Sequence, residues 1–154
     1  MPRIDWDRYF MNLAYDVARR STCIRTGRQI GTVIVNDRHE IVATGYNGNP
    51  RGMKHCEDIG CVRERMAIPS GERAEICTAV HSEQNALIQA GTRSRGGTIY
   101  TMFNPCNTCA KMIANAGILR VVYTVEYPEK MGLKTLRDCG VKVKKLPDFD
   151  RKLK

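Results

Sequence analysis

Two short stretches, His81-Ser82-Glu83 and Pro105-Cys106-Asn107-Thr108-Cys109, are the most informative part of this 154-residue sequence. One imidazole and two thiolates give a zinc ion three protein ligands and leave its fourth position open for water. Zinc sites with that opening are typically catalytic, whereas structural zinc sites are usually closed by four protein ligands. We therefore predict a catalytic zinc site with His81, Cys106 and Cys109 as ligands.

Glu83 lies two residues after the predicted ligand His81, where a carboxylate can move protons without binding the metal. Zinc lowers the pKa of a bound water from about 15.7 to about 7, which makes hydroxide available at neutral pH. A His-x-Glu motif followed by Pro-Cys-x-x-Cys is typical of zinc-dependent nucleobase deaminases. Alone, the Cys-x-x-Cys pair would equally fit a redox pair or half of a structural zinc site, so the combination carries the prediction.

Each stretch is expected to open a helix. Cys106 and Cys109 are three residues apart, so on a helix they share one face and can bind one ion. Pro105 is expected at the first helical position, where its missing N–H is not needed. The positive ends of two helix dipoles would then favour thiolate over thiol, by about 0.3–1 kcal/mol each at exposed sites.

Length and composition indicate a single domain over residues 1–154, with enough apolar residues for a core. The charged tail from about residue 147 is expected to be poorly ordered. No apolar run approaches the length of a membrane span, and the first residues lack the apolar segment of a secretory signal. These features predict a cytoplasmic protein without a membrane partner.

The charge and the cysteine content indicate which kinds of partner and ligand the protein binds. The net charge of +9 fits an anionic substrate or partner, although part of it would also serve as a solubilising surface. Seven cysteines are many for an intracellular chain, and an odd number does not fit a fully paired disulfide framework. Metal binding is the better interpretation of these thiols.

Hydrophobic periodicity predicts an α/β fold with a mixed five-stranded sheet. The expected elements are a helix over 5–20, hairpin strands over 30–36 and 41–46, a short helix within 58–66, a helix from His81 to about 90, a strand over 98–102, a helix from Cys106 to 116, a strand over 119–125, a helix over 130–138 and a strand over 141–146. Strands separated by helices favour a mostly parallel sheet covered on both faces, giving three layers, α/β/α, and the opening hairpin adds one antiparallel pair. Trp6 and Phe10 of the first helix are expected in the core, and Cys139 is expected to be a buried thiol.

Further motifs precede His81: Gly45-Tyr46-Asn47-Gly48, Pro50, Gly52 and His55-Cys56. Together with His81-Ser82-Glu83-Gln84-Asn85-Ala86 and the Cys106 stretch, they resemble the deoxycytidylate (dCMP) deaminases over nearly the whole chain. The catalytic motifs are shared across the cytidine/deoxycytidylate deaminase superfamily, whereas the Gly-Tyr-Asn-Gly stretch with its cysteine-containing loop selects this branch. The resemblance implies the cytidine-deaminase-like fold. Ser82 stands where alanine is frequent, and we expect little effect because its side chain is not a ligand.

The resemblance also implies an activity. The enzyme would hydrolyse dCMP to dUMP and ammonia with zinc held by His81, Cys106 and Cys109, supplying dUMP for thymidylate synthesis. Glu83 would carry a proton from the attacking water to N3 of cytosine and then protonate the amino group that leaves C4. The resemblance further implies a homo-oligomer, a hexamer, that dCTP activates and dTTP inhibits.

Several residues are candidate contacts of the substrate or effector: Asn47, Gly48, Arg25, Arg28, Tyr123 and Tyr127. The resemblance places Asn47 at the edge of the nucleotide pocket and effectors near the Gly-Tyr-Asn-Gly segment. Arg25 and Arg28 lie close by and are candidates for phosphate, since a guanidinium offers a bidentate fork. Solvated surface arginines are an equally good interpretation of both, and Tyr123 could belong to the core instead.

A second, structural zinc is implied by the same resemblance. Its candidate ligands come from the first connection and from the long loop before His81: Cys23, Cys56, Cys61 and Cys77. Four thiolates would order a loop of a length that is uncommon in compact domains. His55 could replace one of them, and free, partly buried thiols are the alternative.

Two other functions share parts of this pattern. A tRNA adenosine deaminase uses the same motifs, and the positive charge would suit RNA, but the long cysteine-rich loop argues against it. A zinc-stabilised nucleic-acid-binding module without catalysis would also accommodate the cysteines and the basic tail. Glu83 discriminates, because a purely structural zinc has no use for a carboxylate beside an open position. Nucleic acid is therefore not the expected partner.

Overall fold

A computed structural model describes residues 3–149 and shows strands and helices in the predicted order. The five strands are β1 (Gly31–Val35), β2 (Ile41–Tyr46), β3 (Thr98–Phe103), β4 (Arg120–Val125) and β5 (Lys142–Lys145). The helices are α1 (Trp6–Ala18), α2 (Cys56–Ile59), α3 (Val62–Arg65), α4 (Ser82–Ala90), α5 (Asn107–Asn115) and α6 (Met131–Asp138). Short 3₁₀ turns cover Ala74–Ile76 and Gly91–Ser94.

The sheet has the order β2-β1-β3-β4-β5 and is mixed, as predicted. The hairpin prediction is confirmed, since β1 and β2 pair antiparallel. The prediction of a mostly parallel sheet is wrong, because β1 also pairs antiparallel with β3, and only β3–β4 and β4–β5 are parallel. The physical reason is the crossover through α4, which makes β3 parallel to β2 while β1 lies between them.

Helices cover both faces of the sheet, which confirms the three-layer prediction. On one face, Phe10, Met11 and Ala14 of α1 pack against Val33 and Tyr100. On the other, apolar side chains of three helices pack against the alternate residues of the central strands; the members of this cluster include Ala86, Leu87, Ala110, Ile113, Leu136, Ile34, Ile99 and Val121. Alternation along the strands separates the two clusters, as expected for a sheet buried on both sides.

Three expectations about individual residues need correction. Trp6 is not core: it is 44% exposed and stacks on His39 at 4.4 Å, whereas Phe10 one turn later is buried. Cys139 is exposed, because α6 ends one residue earlier and its buried face is formed by other positions. The tail from Pro147 is expected to be poorly ordered, and its residues 150–154 lie outside the described residues. Within the described part, the ring of Phe149 packs against that of Tyr15.

No helix within residues 3–149 has the combined length and apolarity needed to cross a bilayer.

A buried carboxylate fastens α1 to the parallel half of the sheet. Asp7 accepts two hydrogen bonds from Arg120 at 2.7 Å each, one from Lys144 at 2.7 Å and one from the Tyr100 hydroxyl at 2.9 Å. Burial by itself would raise the pKa of Asp7, but these partners, Arg120 foremost, hold it well below its usual range. The ionised form of Asp7 is therefore the one that stabilises the fold.

We predict that Asp7→Asn lowers the free energy of unfolding at pH 7 by about 2 kcal/mol, less than for a fully buried ion pair because Arg120 and Lys144 keep partial solvent access. The folded pKa of Asp7 is depressed, so its contribution is present above the unfolded value near 3.9 and is lost as pH falls below about 4. Urea unfolding of both proteins from pH 7 to pH 3 should show the deficit of the variant shrinking with acidification. A deficit that is independent of pH would contradict this assignment.

Candidate active site

The two predicted ligand motifs each begin a helix, and the two helix starts meet. His81 is the N-cap of α4 and Cys106 is the N-cap of α5, both with extended backbone. Cys109 lies in the first turn of α5 and is fully buried. The expectation for Pro105 is corrected by two positions, because it precedes the N-cap Cys106 and the first helical position is Asn107. Its fixed backbone still suits the approach to the helix.

Close backbone contacts with β2 place the start of α4. A Cβ atom at Gly45 would lie 2.3 Å from the Ser82 carbonyl oxygen and 2.4 Å from the Ala86 nitrogen, so only glycine lets the helix approach this closely. Just after β2, Gly48 and Val80 exchange two backbone hydrogen bonds of 2.8 and 3.2 Å. Two glycines of the Gly-Tyr-Asn-Gly stretch thus hold the residues on either side of His81.

Helix α6 places the start of α5 in the same manner. A Cβ atom at Gly132 would lie 2.0 Å from the Pro105 carbonyl oxygen, so α6 packs directly on the turn before Cys106. The Asn107 amide N–H donates to the Glu129 carboxylate at 3.0 Å, and the Thr135 hydroxyl donates to the Asn107 side chain at 2.7 Å. These contacts hold Cys106 and Cys109 opposite His81.

The three ligand atoms form a cage of the size that zinc requires. Nδ1 of His81 lies 3.6 Å from the Cys106 sulfur and 3.3 Å from the Cys109 sulfur. Zinc bonds of about 2.0 Å to nitrogen and about 2.3 Å to sulfur, at tetrahedral angles, separate the two ligand atoms by about 3.5 Å. This set therefore fits zinc. Within residues 3–149 it is also the only group of three or more His, Cys, Asp or Glu ligand atoms that all lie within 4.8 Å of one another.

The two thiols and the imidazole of the cage shift one another's pKa values through their contacts. A hydrogen bond from the Cys109 thiol, with a second contribution from His81, lowers the pKa of Cys106 to about 4. The same bond, together with burial, raises the pKa of Cys109, and the contact with Cys106 raises the pKa of His81. Metal binding must displace the protons of Cys109 and His81, so the affinity of the cage for zinc falls as pH falls.

Glu83 is 6% exposed and lies in the first turn of α4, beside the cage. Burial raises the pKa of its carboxyl group, although the charge on His81 opposes this effect. The Ser82 hydroxyl donates to the Glu83 carboxylate at 3.1 Å and contacts the Thr32 hydroxyl at 2.8 Å. An alanine at this position could not make the contact with Glu83, and the expectation that Ser82 has little effect stays a prediction.

A cleft with a volume of about 120 Å³ opens in front of the cage. Its lining includes His81, Glu83 and Cys106, and also Arg25 and Arg28. Among the residues that the structure describes, Glu83 is the sole carboxylate in the lining. The cleft thus combines a metal cage, one candidate acid–base group and positively charged side chains.

The two arginines converge on one uncharged partner. Nη2 of Arg25 and Nη2 of Arg28 donate to the Ser70 hydroxyl at 3.2 and 2.8 Å. The Arg28 guanidinium also lies over the rings of Phe103 and Tyr127, 5.4 and 5.8 Å from their centroids. Both arginines are half-buried and line the cleft, which favours the interpretation as phosphate contacts over that of solvated surface side chains.

The remaining nucleotide candidates have different positions. Asn47 lines the cleft, but its side chain already accepts from Ser21 and from the Ile30 N–H and donates to the Arg28 carbonyl, so it organises the connection before β1. Gly48 pairs with Val80 and is not in the lining. Tyr123 is corrected to core, because it is 4% exposed within β4 and does not reach the cleft.

Cys23, Cys56, Cys61 and Cys77 line the same cleft. Burial raises the pKa values of Cys23 and Cys56, and the neighbouring thiols of the group raise them further. The four residues are thus close together, but their sulfur atoms do not form a ligand cage like that of His81. His55 caps α2 and is exposed.

The sequence predicted the three residues of the cage, Glu83 and the two arginines. It did not predict Ser70, Arg63 or Phe103, which also line the cleft. Their contacts depend on the path of the loop between residues 51 and 79, for which the sequence carries no periodic signal. Phe103 could have been suspected, because it closes the strand that leads into the Cys106 motif.

The arrangement of His81, Glu83, Cys106 and Cys109 is matched by a known sequence family. The family pattern described as the cytidine and deoxycytidylate deaminase zinc-binding region matches residues 4–125, most of the chain. The chain belongs to the cytidine and deoxycytidylate deaminase family.

Individual members of the family show how far the similarity extends. A deoxycytidylate deaminase of Schizosaccharomyces pombe is 40% identical over 127 residues, which cover 81% of this chain but 38% of that protein. The deoxycytidylate deaminase of Mycobacterium phage D29 is 41% identical over 132 residues, 82% of this chain and 99% of that protein. The chain therefore spans less than half of the yeast relative and nearly all of the phage relative.

A solved structure has the same fold. The dCMP deaminase of cyanophage S-TIM5, crystallised in complex with dCMP and dUMP, superposes with a TM-score of 0.73 at 28% identity. The match covers 95% of this chain and 100% of that one. The cytidine-deaminase-like fold expected from the sequence is therefore confirmed.

We predict that His81→Ala and Cys109→Ala each remove one zinc ion per chain and weaken its binding at least about hundredfold, because an inner ligand is lost. Zinc content by inductively coupled plasma mass spectrometry and competition with a chromophoric chelator would measure this. Cys139→Ser is the matched control, since that thiol is exposed and far from the cage in sequence. Unchanged zinc binding in the first two variants would refute the ligand assignment.

Proposed function

We propose that this chain is a zinc-dependent deaminase that converts dCMP to dUMP and ammonia and so supplies dUMP for thymidylate synthesis. The observation that carries the proposal is the position of Glu83, a buried carboxylate beside a three-ligand cage, in a cleft that two arginines also line. The same substrate and product are bound in the S-TIM5 enzyme.

The proposed chemistry exchanges the amino group at C4 of cytosine for oxygen. When bound by His81, Cys106 and Cys109, zinc would supply a Lewis acid that makes water nucleophilic near neutral pH. Glu83 accepts the proton of the attacking water and delivers it to N3 of the ring. It then transfers the remaining proton of that oxygen, now bonded to C4, to the amino group; the C4–N bond breaks, ammonia leaves and the oxygen becomes the carbonyl of the product. A carboxyl group with a raised pKa suits both directions of transfer.

The proposed binding site of the substrate's phosphate is the part of the cleft that Arg25 and Arg28 line. Arg25 and Arg28 form no ion pair within residues 3–149, so their charge there is not neutralised by a carboxylate. Phosphate is a strong acceptor for guanidinium groups. Arg28 is further oriented by two aromatic rings, which limits the entropy lost on binding.

The proposal also includes the location, the oligomeric state and the effectors of the enzyme. A cytoplasmic location is supported by seven free cysteines, since unpaired thiols are typical of reducing compartments. Hexamer formation, activation by dCTP and inhibition by dTTP stay predictions from the resemblance alone. Gel filtration with light scattering, and initial rates with each nucleotide added, would test them.

We predict that Glu83→Gln and Glu83→Ala lower the rate of dCMP deamination at least about hundredfold while zinc content stays at the wild-type level, because Glu83 moves protons and is not a ligand. Ammonia release from dCMP, CMP, deoxycytidine and adenosine-containing tRNA would be measured on zinc-loaded protein. Glu40→Gln is the control, since that carboxylate is exposed in the hairpin turn.

The outcomes of that assay separate the functions. Release from dCMP that depends on Glu83 supports the proposal. Turnover of tRNA with no release from any cytosine compound would indicate a tRNA adenosine deaminase. Zinc-loaded protein that is inactive on all four compounds would favour a non-catalytic module.

We also propose a second zinc, held by Cys23, Cys56, Cys61 and Cys77 after rotation of their side chains. The grouping of four thiols around one cleft supports it. We predict two zinc ions per wild-type chain and one zinc ion per chain in Cys61→Ser and in Cys77→Ser. Both variants should also melt at a lower temperature than the wild-type protein, because the long loop loses the crosslink that the zinc provides. A single zinc in the wild-type protein, bound by the cage, would contradict this proposal.

A further inference from the structure

A buried arginine that takes no part in the proposed chemistry lines the same cleft as Arg25 and Arg28. Arg63 of α3 is 4% exposed. Its guanidinium donates to the carbonyl oxygens of Pro69, Glu72 and Arg73 at 2.7, 2.7 and 2.8 Å. All three acceptors belong to one turn, residues 69–73, so this single side chain contacts most of the turn's backbone.

The turn does not have a relaxed backbone of its own. Gly71 has φ +86°, Arg73 has φ +44°, and Ala67 just before the turn has φ +50°. The left-handed region is unfavourable for residues other than glycine, so the conformations at Ala67 and Arg73 must be held by surrounding contacts. Hydrogen bonds from a charged donor are stronger than neutral ones, and Arg63 supplies three of them.

What the turn presents to the cleft is the hydroxyl group of Ser70. That oxygen accepts from both Arg25 and Arg28, at 3.2 and 2.8 Å. Two positive groups thus share one neutral acceptor, although like charges at this separation repel each other. An anion placed between them would relieve that repulsion, and the hydroxyl group can also donate to an anion.

We propose that Arg63 is a positioning residue for phosphate recognition: it holds the 69–73 turn so that Ser70, Arg25 and Arg28 form three sides of one anion site. The Ser70 hydroxyl donates to the phosphate of the nucleotide, and Arg63 acts on that phosphate only through the turn. The pair Arg63 and Ser70 therefore sets the preference for a nucleotide over its nucleoside. This inference rests on the proposed function.

The experiment compares a phosphorylated with an unphosphorylated ligand. Zinc-loaded wild type, Ser70→Ala, Arg63→Lys and Arg63→Met would be assayed for kcat and KM with dCMP and with deoxycytidine. Binding of dUMP and of deoxyuridine by isothermal titration calorimetry gives the same comparison without turnover. Arg65→Met is the matched control, because Arg65 lies on the same helix but is exposed and donates to the Ile59 carbonyl instead.

We expect Ser70→Ala and Arg63→Met to raise KM for dCMP and Kd for dUMP about tenfold, the effect of one lost charge-assisted hydrogen bond. Arg63→Lys should show a smaller increase, since an ammonium group cannot serve three carbonyl oxygens in one plane. For all variants, kcat with dCMP, kcat/KM with deoxycytidine and Kd for deoxyuridine should stay within about twofold of wild type, because the cage and Glu83 are untouched. Arg65→Met should match wild type throughout.

Two results would overturn the proposal. One is an equal loss for nucleotide and nucleoside in the Arg63 variants, which is the signature of a merely structural role. The other is an unchanged preference for the nucleotide in Ser70→Ala, a variant that keeps the Arg63 contacts and so tests the anion site even where Arg63→Met does not fold. Failure of the proposed function looks different, because the wild-type protein would then neither deaminate dCMP nor bind dUMP.

Discussion

The site depends on one constraint, the meeting of two helix starts within bonding distance of a common ion. His81 and Cys106 are N-caps of different helices, and their ligand atoms lie 3.6 Å apart. Each helix start is placed by close backbone packing with another element. Gly45 of β2 lets the start of α4 approach, and Gly132 of α6 lets α6 pack on the turn before α5. Two positive helix ends directed at one point also favour thiolates and carboxylates there, which suits a zinc cage with an acid–base group beside it.

One cleft contains both the groups of the proposed chemistry and those proposed to bind phosphate. The cage and Glu83 line it, and burial strengthens electrostatic interactions there and raises the pKa of the Glu83 carboxyl group. Arg25 and Arg28 from the connection before β1 and Ser70 from the long loop line it as well. That loop has little apolar contact with the main clusters and is instead held by polar interactions, chiefly those of Arg63.

Where sequence reasoning failed, long-range packing was the cause. Helical periodicity assigned Trp6 to the core, but it cannot show how far along α1 the sheet extends, and the ring stacks on His39 at the surface. Cys139 follows the last turn of α6, where one residue decides between burial and exposure. Tyr123 was a contact candidate by its position near the motifs, yet strand alternation directs it into the core. The antiparallel pairing of β1 with β3 arises from the crossover through α4, which no local pattern encodes.

The sequence by itself determined the order of elements, the α/β class, the three zinc ligands as a group and the carboxylate beside them, because these follow from local spacing, helix capping and residue chemistry. Tertiary structure alone decided which basic residues face the cleft, that Ser82 contacts Glu83, and that Arg63 shapes the turn carrying Ser70. The physical reason is that these contacts join segments far apart in the chain or within an aperiodic loop. Their geometry depends on how backbone atoms approach in three dimensions, and neither hydrophobic period nor motif spacing records that.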